Sequence, residues 1–174
     1  ISFLNFGSFG ACARPVFERY QQYQLEMEEE PLHFMMEKGL AYLKQAREAL
    51  AKFINCHADD VVYVTNPSYG VNIIAKSFPL QPGDEVLTTN LEYGACDRAW
   101  KYYCKQKGAT YKQCSIQLPL QSRQDFITQL SAGINNKTRL IFLSHITSAT
   151  ALRLPVKEIC ELALKKNIPV FIEG

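Results

Sequence analysis

From residue 61 onward the chain alternates between short runs of β-branched and large apolar residues and stretches whose apolar positions recur every three or four residues. The runs at 61–64, 85–88, 110–116, 139–143 and 169–172 predict strands. The helical spacing predicts helices over 70–77, 95–107 and 124–132, and a further one that starts at Pro155 and runs through Ile159, Leu162 and Ala163. Leu140 to Leu143 shows no polar alternation, as expected of a strand covered on both faces. Strand–helix–strand repetition with short links predicts an α/β fold, a mostly parallel sheet with helices on both faces.

The first 60 residues have a different pattern. Residues 1–14 read as a loop, with Asn5, Gly7, Ser8 and Gly10 permitting tight backbone and Phe3, Phe6 and Phe9 free to dock. Pro15 opens a helix through Val16, Tyr20, Tyr23 and Met27. Glu28, Glu29 and Glu30 then precede Pro31, where acidic residues suit the positive start of a second helix. That helix is expected to reach about Asn55, with Leu32, Met36, Leu40, Leu43, Leu50 and Ile54 on one face and Met35 and Met36 as core filler. The domain reading is therefore a loop and two helices over 1–60 and an α/β domain over 61–174. The last residues follow a buried-strand pattern directly, so the chain is expected to be a piece of a longer protein.

Composition removes several function classes. With 174 residues, 47% of them hydrophobic and 21% charged, the chain can bury one substantial core. A formal charge of +2 without a basic, aromatic-interleaved patch argues against nucleic acid. No apolar run approaches the ~18 residues of a membrane span. Cys12, Cys56, Cys96, Cys104, Cys114 and Cys160 are scattered without metal-ligand spacing, as are His33, His57 and His145. Free buried thiols in a reducing, cytoplasmic compartment are expected, and no metal centre.

Ligands of parallel sheets bind beyond the carboxyl ends of the strands. That rule selects four segments. Residues 66–70 turn sharply from a strand into a helix, whose first N–H groups and positive dipole end suit an anion such as phosphate. Residues 90–95 offer Glu92 and the flat ring of Tyr93, residues 145–151 offer the hydroxyls of Thr147, Ser148 and Thr150, and Glu173 supplies a carboxylate. Together they suit a planar, phosphorylated heteroaromatic ligand. The turn after Val64 has neither G-x-G-x-x-G nor G-x-x-x-x-G-K, which disfavours a nucleotide-binding domain.

Five ordered motifs carry a family resemblance: Leu4-Asn5-Phe6-Gly7-Ser8-Phe9-Gly10, Thr65-Asn66-Pro67-Ser68-Tyr69-Gly70-Val71-Asn72, Pro82-Gly83-Asp84-Glu85-Val86-Leu87-Thr88-Thr89, Glu92-Tyr93-Gly94-Ala95-Cys96-Asp97 and Ser144-His145-Ile146-Thr147-Ser148. In this order they resemble the class V aminotransferase-like enzymes, in the isopenicillin N epimerase-like branch related to the cysteine desulfurases. The resemblance implies an incomplete large domain of the fold-type I scaffold of pyridoxal 5′-phosphate (PLP) enzymes, in a homodimer acting on an amino acid or amine. It implies that Ser68 and Tyr69 hold the PLP phosphate, that Tyr93 stacks on the pyridine ring, and that Ser148, with Thr147, faces the 3′-oxygen. Glu173 falls where the family has an Asp that pairs with the ring nitrogen.

The chain departs from the family pattern at several points. Tyr69 replaces a small hydroxyl residue, Phe6 a common His, Tyr93 the His of the desulfurases, and Ala149 and Ala151 a common Pro and Gly. The Schiff-base lysine of the family is expected beyond Gly174, so no catalytic residue is assigned here. The rival expectation is a diverged or incomplete scaffold that serves as a binding or interaction module.

Overall fold

The structure, a computed structural model, describes Phe6 and residues 10–174, so the 4–10 motif, with Phe3 and Phe9, lies outside the described residues except for Phe6 and Gly10. The chain divides into two compact units, residues 1–63 and 64–174.

In the first unit, helix α1 (Arg14–Glu29) stops at Glu30, because the residue before a proline is pushed out of the helical region, and Pro31 follows. A single turn α2 (Pro31–His33), a π-helical turn (Phe34–Lys38) and α3 (Gly39–Ile54) complete the second helix, which Asn55 ends in the left-handed conformation. Glu26 ties the helices together, accepting from the Tyr42 hydroxyl at 3.1 Å and pairing with Lys38 at 2.9 Å. The expectation that Met35 and Met36 fill a core is overturned: both are exposed, with Leu32, Leu40, Leu43 and Ile54. An amphipathic stripe marks a face suited to burial, but it does not supply the layer that covers it.

Residues 61–64 are not a strand, which corrects the sequence reading. They belong to no strand and pair with none of the four strands of the sheet, and Val62 is 78% exposed. β-branched residues favour extended backbone, but a strand also needs a hydrogen-bonded neighbour.

In the second unit, α4 (Pro67–Ser77) starts three residues before the predicted position. Asn66 caps it through its side chain and Pro67 occupies its first turn, a combination that favours helix initiation. The succession β1 (Glu85–Thr89), α5 (Gly94–Gln106), β2 (Thr110–Cys114), α6 (Arg123–Ser131), β3 (Thr138–Ser144), α7 (Val156–Leu164) and β4 (Val170–Glu173) agrees with the predicted alternation to within two residues at each end.

All strand pairings are parallel and the order is β2-β1-β3-β4. The chain moves from β1 to β2 in one direction and then crosses back over β1 to reach β3. Connections of one hand that run in opposite directions lie on opposite faces. One face accordingly packs Val71 and Ala75 of α4 and Cys96, Ala99, Trp100 and Cys104 of α5 onto Val86, Leu140 and Phe142. The other packs Phe126 and Leu130 of α6 and Ile159 and Ala163 of α7 onto Leu87, Ile141 and Leu143. The direction changes between β1 and β3, and the crevice at their carboxyl ends is where such a fold presents a ligand site.

Candidate functional site

The start of α4 and the end of β4 wall a pocket of about 320 Å³ lined by Val64, Asn66, Pro67, Gly70, Val71 and the stretch from Phe171 to Gly174. That size lies within the ordinary range of small-ligand pockets, roughly 300–1,000 Å³. The pocket brings a helix amino terminus and the Glu173 residue together, one end suited to an anion and the other to a cationic group.

The donors at this helix start are already partly used. Asn66 Oδ1 accepts the Tyr69 N–H at 2.8 Å, and Asn66 O accepts the Gly70 N–H at 3.2 Å. Pro67 has no N–H. Ser68 remains, and neither its N–H nor its Oγ has a partner among the described residues. Its carbonyl is held by Asn72 Nδ2 at 2.8 Å, which fixes the first turn. The capping Asn66 was missed in the sequence, although Asn followed by Pro at a helix start is a readable signal.

The other residues singled out in the sequence lie at the same edge of the sheet. Tyr93, which precedes α5 and is 48% exposed, follows β1. Thr147 and Ser148 follow β3. Thr147 is buried, with its hydroxyl 2.6 Å from that of Thr150 and accepting the Leu152 N–H at 2.9 Å. The Thr147 hydroxyl thus organises its own loop, and the exposed Ser148 carries the freer one. Glu173 pairs in register with Ser144, and its carbonyl accepts the His145 N–H at 2.7 Å. His145 packs closely on Gly174, where an added Cβ would lie 2.8 Å from the histidine Cβ.

Acidic groups gather at the start of α5. Burial raises the Glu92 carboxyl above its ordinary value, against hydrogen bonds from Thr89 and Ser144 that lower it. The Cys96 thiol is pushed up to about 11, mainly by burial and then by the charges of Glu173, Glu92 and Asp97. Asp97 itself accepts from Tyr111 at 2.6 Å and pairs with Lys101 at 2.8 Å. Among the described residues, no lysine lines the pocket beside Glu173.

Residues 11–174 match the family model described as aminotransferase class-V. The chain belongs to this family. It is 34% identical over 173 residues to the isopenicillin N epimerase of Streptomyces clavuligerus, covering 98% of this chain and 43% of that protein. A probable cysteine desulfurase of Mycolicibacterium paratuberculosis (strain ATCC BAA-968 / K-10) is 27% identical over 82% of this chain and 21% of that one. Among solved structures, the cystine C–S lyase C-DES, in complex with its reaction product cysteine persulfide, superposes with a TM-score of 0.90 at 24% identity. The match covers 99% of this chain and 46% of the lyase. A variant of the same lyase carries glycine covalently linked to its PLP cofactor. The chain thus spans less than half the length of these relatives. The fold-type I scaffold expected from the sequence is borne out by the superposition, and the epimerase and desulfurase resemblances by the relatives.

Proposed function

We propose that this chain supplies the cofactor-seating part of a PLP-dependent enzyme that acts at the α-carbon of an amino acid or amine, by epimerisation, amino transfer or removal of sulfur. The reading rests on one observation above the others: an unpartnered Ser68 N–H and hydroxyl in the first turn of α4, whose neighbours Asn66, Pro67 and Gly70 line a pocket together with Glu173. When bound, PLP supplies an electron-accepting ring that stabilises negative charge at the substrate α-carbon.

Ser68 would hold the phosphate through its N–H and Oγ, with the α4 dipole behind them. Tyr69 would add its N–H only by taking it from the Asn66 side chain. Tyr93 would cover the ring face. Ser148, supported by the loop that Thr147 organises, would donate to the 3′-oxygen. Glu173 would pair with the protonated ring nitrogen and keep the ring cationic, although it is one methylene longer than Asp. The covalent attachment lysine is expected beyond Gly174.

Two finer readings accompany this one. The exposed apolar faces of α1 and α3 suit a homodimer, as is usual in the family. The six free cysteines suit a reducing, cytoplasmic setting. Among the described residues no helix is long and apolar enough to cross a membrane.

The test is uptake of PLP by the whole protein, followed by visible absorbance and by intact mass with and without borohydride. A visible band and a PLP-sized mass increment after reduction are expected. A protein that takes up no PLP would favour the rival reading, an interaction scaffold.

A further inference from the structure

The two strands that flank the crevice part before their ends. The β1–β3 register runs from Glu85↔Thr138 to Leu87↔Ile141, whereas β1 stays paired with β2 as far as Thr89↔Cys114 and β3 with β4 as far as Ser144↔Glu173. A parallel ladder that splays in this way leaves backbone donors inside the sheet without strand partners, and such buried groups need an acceptor.

One carboxylate supplies it. Glu92 Oε2 accepts the Ser144 N–H and the Ser144 hydroxyl, each at 2.8 Å, and its Oε1 accepts the Thr89 hydroxyl at 2.6 Å. Thr89 and Ser144 are the last residues of β1 and β3, and both are buried. Thr89 Oγ1 in turn accepts the Leu91 N–H at 3.1 Å. Ser144 leads directly into His145, whose N–H bonds Glu173 O. The bridge therefore runs across three strand ends, from β1 through Glu92 to β3 and on to β4.

From this geometry we infer that Glu92 is a positioning residue for the proposed cofactor site: its carboxylate spans the splayed ends of β1 and β3 and sets the adjacent Tyr93 and the 145–151 loop. The inference rests on the reading of the site as a PLP seat. Glu92 itself is given no contact with the cofactor. It acts through its sequence neighbour Tyr93, whose carbonyl accepts the Asp97 N–H at 3.0 Å and so joins the bridge to the first turn of α5. The bridge does not require a negative charge. A neutral amide at position 92 can accept from Ser144 with its oxygen and donate to Thr89 Oγ1 with its nitrogen. Removing the group altogether leaves buried Ser144 and Thr89 donors without an acceptor.

The experiment compares wild type, Glu92→Ala, Glu92→Gln and Thr89→Val in the whole protein. It measures the dissociation constant for PLP by absorbance titration and the hydrogen exchange of the Ser144 amide. Glu92→Ala is expected to weaken PLP binding about tenfold or more and to expose the Ser144 amide to exchange. Glu92→Gln should restore both, to within about threefold in binding. Thr89→Val removes one of the three bonds to Glu92, and with it the acceptor of the Leu91 N–H, at nearly constant shape. It should weaken binding about threefold, and it carries the test if Glu92→Ala does not fold. Wild type that binds PLP alongside Glu92→Ala and Thr89→Val proteins that bind equally well would overturn the positioning role and leave the proposed function standing. A Glu92→Gln protein as weak as Glu92→Ala but with a protected Ser144 amide would also overturn it, because charge and not the bridge would then be what matters. Wild type without PLP uptake would remove the proposed function and this role together.

Discussion

Lys107 Nζ donates to the carbonyl of Phe78 at 2.5 Å, and to those of Lys76 at 2.8 Å and Ala75 at 3.3 Å. The Ala75 and Lys76 carbonyls belong to the last turn of α4, where the helix dipole is negative, and the Phe78 carbonyl just past it also accepts the Leu80 N–H at 2.8 Å. A cation from outside the helix therefore satisfies them. The opposite end of the same helix is the proposed phosphate seat, so the anchoring of α4 bears on the site although Lys107 is remote from it.

Replacing Lys107 with Met should lower stability by about 1–2 kcal/mol, because three acceptors lose a charged donor while most of the side-chain stem is kept. Urea unfolding measures this, and an unchanged midpoint would show that water replaces the ammonium without loss.

The thiols should divide into two reactivity classes. Burial pushes Cys96 and Cys104 up to about 11, so at neutral pH neither supplies appreciable thiolate, and both are sealed in the core around Trp100. Cys12, Cys56 and Cys160 are exposed. Native alkylation followed by peptide mass mapping should label those three well before Cys96 and Cys104, which should react only after denaturation. Early labelling of Cys96 would mean that α5 opens locally.

Removing the Tyr93 ring should weaken PLP retention, and equal retention by Tyr93→Ala would withdraw the stacking assignment. Glu173→Gln should leave the helix seat intact yet shift the visible band, because an amide does not hold a proton on the ring nitrogen. An unaltered band would count against Glu173 as the partner of that nitrogen.

The alternation of apolar runs with helical spacing made the sheet and its three crossover helices legible, because burial on both faces leaves an uninterrupted signature such as Leu140 to Leu143. Local pattern did not reveal whether a face finds a neighbour. Val62 and Met36 have the residue types of a strand and of a core, yet each is exposed, since burial depends on what lies opposite. Likewise Ser68 and Glu173 could be proposed from their places after predicted strands. The prior claim of Asn66 on the Tyr69 N–H and the internal bonding of Thr147 depend on three-dimensional geometry that spacing does not encode. Glu92 was legible as a carboxylate at the right address, but its bridge to Ser144 joins residues that are 52 positions apart.

That bridge also fixes the sign of a pH effect. Burial raises the folded-state value of Glu92 above the ordinary 4.5, outweighing the hydrogen bonds that lower it, and the nearby charge of Asp97 acts in the same direction. The Cys96 thiol beside it is pushed up to about 11 and adds no negative charge of its own at neutral pH. A carboxyl whose value is raised on folding binds its proton more tightly in the folded chain. The stability this contributes is complete below the unfolded value and is lost as the pH rises through the folded one. Above the folded value the ionised Glu92 therefore burdens the fold, and there Glu92→Gln should be the more stable protein. The difference should shrink steadily on acidification as wild-type Glu92 takes up its proton. Urea midpoints of the two proteins from mildly alkaline to mildly acidic pH decide the matter. A Glu92→Gln protein that is less stable than wild type throughout would mean that the three donors require the negative charge, and that they outweigh the cost of burying it.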